Sequence, residues 1–251
     1  MIKIGLLTSS SISDFRFKTL KPILADNNFS IKVAIIDKRP KLTLKQKLKK
    51  NLKRGRGGYI LIMALNSLFS KKRDYISTVE FCRNNHINII ETNDLYTRET
   101  IDKIKEYDLD LLILVGGFGI IKKILLEITP LGVLSYHHGD MRKYRGMPPG
   151  LWELYNNEEE MGVTVQILSP GLDCGIPIEE KKIRISKNDT LKTLQNKASI
   201  ESIDMLYKAL LKLSNKSYNP EKIEKFGRVY TLPNLHQWIV LHLRLLWRRL
   251  I

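Results

Sequence analysis

The segment VLSYHHGDMRKYRG, residues 133–146, ends an apolar run in two adjacent histidines, His137 and His138, and continues into a basic loop closed by glycine. Histidine changes charge near neutral pH, so it suits proton transfer as well as metal binding. A second segment, PGLDCGIPI over residues 170–178, sets Asp173 and Cys174 between glycines. Three chemistries are open to this set. His137, His138, Asp173 and Cys174 have residue types that suit zinc. A histidine with a carboxylate suits general acid–base work, and a glycine-flanked aspartate also suits a plain turn. Strand alternation argues against the metal: Ser135 and His137 project to one face, Tyr136 and His138 to the other, so the imidazoles diverge. No metal is expected, and His138 reads as a structural or substrate-side residue.

Such residues need a scaffold, and the chain supplies alternating strand and helix patterns. Residues 3–7, 31–36, 87–90, 109–115 and 132–137 read as strands, with 109–115 aliphatic enough to be buried on both faces. Residues 15–24, 120–128 and 150–156 read as helices, residues 79–84 as the end of another, and 190–213 as one long amphipathic helix. Residues 163–168 and 177–185 read as two strands joined by the 170–175 loop. The expected class is α/β, a doubly wound, Rossmann-like, mostly parallel sheet with a mixed edge, a basic insertion and a C-terminal amphipathic helix. In such a sheet ligands gather beyond the carboxyl ends of the strands, where residues 116–119 (GGFG) and 135–138 lie. The GGFG stretch follows a late strand and lacks the context of a dinucleotide loop.

A chain of 251 residues that is 43% hydrophobic can bury one substantial core. The expected division is a main domain over 1–213, carrying the insertion at about 38–73, and an extension over 214–251. Cys82 and Cys174 are the only cysteines and lie far apart, which suits a reducing, cytoplasmic setting without a disulfide framework. No secretion signal is visible at the start, and no apolar run is long enough to span a bilayer. The net charge is +16, and residues 38–73 hold thirteen Lys or Arg and no acid. That concentration favours an enzyme with one basic insertion over a nucleic-acid binder.

The order GGFG, SYHHGDMRKYRG, GVTVQIL and GLDCG resembles the formyltransferases that use 10-formyltetrahydrofolate. Their pattern is Asn-x-His, ten residues counted from that His to an Arg-Gly glycine, then GVT, then G-x-D-x-G. The count from His137 to Gly146 is ten, Gly162-Val163-Thr164 supplies the GVT, and residues 171–175 supply the last loop. The resemblance implies that His137 and Asp173 are catalytic, with Ser135 in the place of the family's Asn. It implies a co-substrate, 10-formyltetrahydrofolate, resting against Phe118, Gly119, Ile120, Ile121 and Leu172. It implies attack by a primary amine, with an imidazolium at His137 stabilising the developing oxyanion and Asp173 holding the ring. Ser135 keeps a donor with a shorter reach; a slower enzyme, a non-catalytic folate or sugar binder, and a formyltetrahydrofolate hydrolase stay open.

The acceptor is read by analogy. Initiator-tRNA enzymes of the family carry a barrel after the catalytic region, whereas 38 residues follow Leu213 in this sequence. The purine-pathway enzymes, the alternative that stays open, have a glycine-rich first loop, where this chain has Thr8-Ser9-Ser10-Ser11. A small-molecule amine on a nucleotide-linked sugar is the preferred acceptor, with Lys143 and Arg145 suited to a diphosphate and Ser9 and Ser10 at the same crevice. The basic insertion and residues 234–251 are basic amphipathic patterns that suit an anionic inner membrane face, a homodimer interface or the protein's own surface.

Overall fold

The computed structural model describes residues 1–40, 42–53, 62 and 75–250. Most of the basic insertion therefore lies outside the described residues. The chain begins with β1 (Ile2–Ser9), β2 (Ser11–Ser13), α1 (Asp14–Ala25), β3 (Phe29–Asp37), α2 (Leu44–Lys53), β4 (Tyr75–Ser77) and α3 (Thr78–Asn84). It continues through β5 (Asn88–Thr92), α4 (Arg98–Lys105), β6 (Leu111–Leu114), α5 (Lys123–Leu126), β7 (Val133–His137), β8 (Tyr144–Gly146) and α6 (Leu151–Tyr155). It closes with β9 (Glu160–Ile167), β10 (Ile176–Arg184), α7 (Leu191–Glu201), α8 (Met205–Ser214), β11 (Arg228–Tyr230) and α9 (Leu235–Leu250).

Seven strands form the main sheet in the order β10-β9-β7-β6-β1-β3-β5. The run β7-β6-β1-β3-β5 is parallel, while β9 is antiparallel to both β7 and β10. After β5 the chain returns to the other side of β1, which places a topological switch between β1 and β6. The sheet is buried on both faces. Leu111 and Ile113 of β6 enter one apolar cluster with Leu20 of α1 and Leu206 of α8, while Leu112 enters the other with Ile101 and Ile104 of α4. Alternating strand residues thus feed two cores, as a two-sided α/β sheet requires.

Several expected elements change. The long helix over 190–213 is broken into α7 and α8. At the break the Tyr136 hydroxyl donates to the Ser202 carbonyl at 2.7 Å and accepts the Leu206 N–H at 3.1 Å. These bonds satisfy backbone groups that an uninterrupted helix would pair internally. The helix expected over 120–128 contracts to α5. Ser11, read as part of a turn, instead starts β2, which pairs antiparallel with β4. The extension after residue 214 returns to the body, where β11 runs parallel to β8.

Candidate active site

Every residue of β7 is buried, and the strand is held by parallel β6 on one side and antiparallel β9 on the other. Its two-residue period sends Tyr136 and His138 into an aromatic layer. The His138 ring stacks on Tyr136 at 5.8 Å and meets Phe15 edge-on at 5.6 Å, with the Arg16 guanidinium 4.8 Å from the Tyr136 ring. Burial first, then the positive fields of Arg16 and His137, push His138 down to about 3. It is a neutral packing ring at any ordinary pH, and its Nε2 has no hydrogen-bond partner.

His137 faces the other way and is only 7% exposed. Its Nε2 lies 3.0 Å from the Tyr144 carbonyl, and its Nδ1 lies 3.4 Å from Asp173 Oδ1. Asp173 Oδ2 in turn accepts the Gly146 N–H at 2.8 Å. Burial lowers the affinity of the ring for a second proton, but Asp173 and the Tyr144 carbonyl outweigh it, and His137 stands above its ordinary value. For Asp173, burial is outweighed by His137 and the Gly146 N–H, and the carboxyl stands below its ordinary value. Acceptors at both nitrogens favour the charged form of the ring, which can donate to a developing oxyanion once Nε2 exchanges the Tyr144 carbonyl for it.

The glycines around this pair leave room that no side chain could share. A Cβ on Gly139 would sit 2.7 Å from His137 Nε2, and one on Gly175 would sit 2.1 Å from the Ile167 carbonyl. Gly175 donates its N–H to Gln166 Oε1 at 2.9 Å, which ties the Asp173 loop to β9. Asp173 itself has φ 47°, a left-handed conformation that aspartate tolerates better than most residues. Among the described residues no group of three or more His, Cys, Asp or Glu is placed to hold a metal ion.

The other residues singled out from the sequence spread around the carboxyl ends of the strands. Ser135 is buried on the His137 side of β7, with its hydroxyl 3.4 Å from the Tyr136 carbonyl, a weak contact. Phe118 and Ile121 are buried in the core, whereas Gly119 is exposed and Ile120 and Leu172 present apolar side chains to solvent. The Ser9 hydroxyl donates to the Ser11 carbonyl at 2.9 Å, and the Ser10 carbonyl accepts the Thr78 N–H at 3.1 Å. Lys143 is paired with Glu158 at 3.1 Å. Arg145 donates to the carbonyls of Gly227 at 2.8 Å and Leu172 at 3.2 Å, linking the extension to the Asp173 loop.

One ionisable group was missed by the sequence reading. Glu153, in the apolar turn LWELY of α6, is 3% exposed, and its Oε1 has no hydrogen-bond partner. Burial first, helped by the negative fields of Glu158 and Asp140 and opposed by His137, raises it to about 7. It shares a cavity of about 10 Å³ with His137, Gly146 and Trp152. It also lines a cleft of about 600 Å³ with Asp140, Tyr144, Glu158 and Thr164. The one sequence signal was a lone acid among large apolar residues.

Residues 43–210, more than half of the chain, match the family described as formyl transferase. The chain belongs to that family. Among curated relatives of this chain, the methionyl-tRNA formyltransferase of Prochlorococcus marinus is 33% identical over 184 residues, covering 71% of this chain and 52% of that one. The chain spans about half the length of the curated relatives it matches. Among solved structures, glycinamide ribonucleotide transformylase 1 from Symbiobacterium toebii has a TM-score of 0.60 at 16% identity, covering 89% of this chain and 95% of that chain. An N-formyltransferase from Helicobacter canadensis, in complex with folinic acid and dTDP-3-aminofucose, has a TM-score of 0.60 at 18% identity, covering 92% and 71%. Both share the mixed, doubly wound fold of this chain.

Proposed function

We propose that this chain transfers a formyl group from 10-formyltetrahydrofolate to a primary amine, with a nucleotide-linked amino sugar as the acceptor. The observation that carries the reading is the ion pair of His137 and Asp173 at the end of β7 in a formyl transferase sheet. Attack of the neutral amine on the formyl carbon forms a C–N bond and puts negative charge on the carbonyl oxygen. The His137 imidazolium exchanges its Tyr144 carbonyl contact for that oxygen and donates to it through Nε2, while Asp173 fixes the ring at Nδ1 and stabilises its charge. The amine must then lose a proton and the departing folate nitrogen must gain one. Glu153, raised to about 7, has the right affinity to take the first and return it. Collapse of the adduct breaks the bond between the formyl carbon and the folate nitrogen.

Exposed Ile120 and Leu172 offer apolar edges for the flat ring of the co-substrate. Lys143 and Arg145 reach the acceptor's phosphates by exchanging their contacts to Glu158 and the backbone carbonyls. The sugar acceptor is supported by the Helicobacter neighbour, which is in complex with dTDP-3-aminofucose. Two free cysteines suit a reducing compartment, in keeping with a cytoplasmic enzyme. A second reading, a folate or sugar binder without turnover, is favoured by one observation: the Ser135 hydroxyl is turned to a backbone carbonyl.

The test is incubation with 10-formyltetrahydrofolate and a panel of amines that includes amino sugar nucleotides and glycinamide ribonucleotide, following folate release and product mass. A formylated amino sugar supports the reading. Release without a formylated amine means hydrolysis, and folate binding without release means the binder.

A further inference from the structure

Helix α9 turns its apolar stripe outward. Leu241 and Leu245 are its buried residues, and Arg244, on the same side, donates to the Tyr155 carbonyl with its guanidinium 4.6 Å from the Tyr155 ring. Ile239, Leu243, Leu246, Trp247 and Leu250 point away from the body and are between 45% and 84% exposed. Positions 239, 243, 246 and 250 fall on successive turns of one side, so they form a continuous strip. A strip of this size on a folded surface marks a binding face.

The charge of the helix says what binds. Arg244 and Arg248 lie on the body-facing side, in the wall of a cavity of about 470 Å³ with Arg184 and Glu159. Arg249 is exposed at the edge of the strip, where a cation can meet phosphate oxygens. Helix α9 contains no acid, and α2 repeats the recipe: Leu44, Leu48 and Leu52 are exposed among Lys45, Lys47, Lys49, Lys50 and Lys53. Two copies of a chain with net charge +16 repel one another, whereas an anionic surface attracts them. Among the described residues no helix is long and apolar enough to cross a membrane, so an apolar strip edged by arginines suits a helix lying in the surface plane.

We propose that α9 docks the protein on a bilayer containing anionic lipids. Leu243, Leu246, Trp247 and Leu250 enter the boundary between headgroups and acyl chains, and the exposed Arg249 meets a lipid phosphate. This inference is independent of the formyl-transfer reading, since none of these residues belongs to that site.

The experiment is co-sedimentation of the full chain with vesicles of phosphatidylcholine alone and of phosphatidylcholine mixed with phosphatidylglycerol. Binding to the mixed vesicles only, weakening as salt rises, is the expected result. Leu243→Glu combined with Leu246→Glu abolishes sedimentation while circular dichroism and the melting temperature stay as in the parent. Arg249→Gln weakens binding about fivefold, the value of one basic residue at such a surface. Failure of the parent chain to sediment with anionic vesicles overturns the proposal, as does unchanged sedimentation of the double variant. Light scattering supplies the last check: a dimer of the parent that the double variant dissolves, without vesicle binding, assigns the strip to self-association instead.

Discussion

His137 and His138 are adjacent, identical in type and placed at one strand end, yet they have opposite chemistry. His137 sits between a carboxylate and a carbonyl and is held above its ordinary value; His138 sits between aromatic rings near an arginine and falls to about 3. The two-residue period of a strand is enough to separate them, because each face of β7 meets a different layer. Residue type therefore says little about function here, and the facing neighbours say most.

The comparison is broken hardest at His137. His137→Ala is expected to lower turnover about a thousandfold or more while the protein stays folded, measured as folate release with a folded-state check by circular dichroism. His138→Phe should leave turnover within about twofold, since it replaces one buried ring by another. Equal losses in the two variants would refute the division of labour between the faces.

Glu153 sharpens the contrast through pH. Its carboxyl is raised to about 7 from an ordinary 4.5, so the fold binds a proton that the unfolded chain releases first. Stability from this group is intact below pH 4.5 and is lost as pH climbs toward 7, by on the order of 3 kcal/mol. Glu153→Gln removes that loss. Urea unfolding should show the variant gaining on the parent across this window and by a constant amount above it, while turnover falls if the carboxyl carries the proton.

Asp173→Asn removes the charge that raises His137. The His137 value should fall and turnover should drop about a hundredfold, read by NMR titration of the ring and by folate release. The smallest effect is spectroscopic: the His138 ring of the parent protein should show no titration between pH 5 and 8. The sign of the His137 effect is opposite to that of Asp173, whose carboxyl is held below its ordinary value. The stabilising contribution of His137 is complete below the ordinary histidine value and is lost as pH rises through the raised one.

The sheet was readable because its strands are aliphatic runs at the right spacing, and the facing of Ser135 and His137 followed from period two. His137 and Asp173 were found through the order of short motifs, since 36 positions separate them in the chain. The break between α7 and α8 was unreadable. Residues 190–213 carry an unbroken helical pattern, and what ends α7 is a hydroxyl from a strand some 66 residues earlier. Glu153 escaped for a similar reason: a lone acid in an apolar turn looks like a surface residue until the packing of Trp152 and Tyr144 around it is known. In α9 the composition was legible, but which side packs inward depended on Tyr155.

The pairing of β11 with β8 governs when the site can exist. A Cβ on Gly146 would sit 2.1 Å from the Tyr230 carbonyl, and Trp152 donates its indole N–H to the Thr231 carbonyl at 3.1 Å. A ribosome delivers the chain from its N-terminus, so the sheet and His137 emerge well before residues 228–231. The loop that carries Gly146, and through its N–H the Asp173 carboxylate, waits for that late segment to brace it. A nascent chain stalled between β10 and β11 would hold its sheet and both members of the ion pair, yet its reaction centre would still be unfinished.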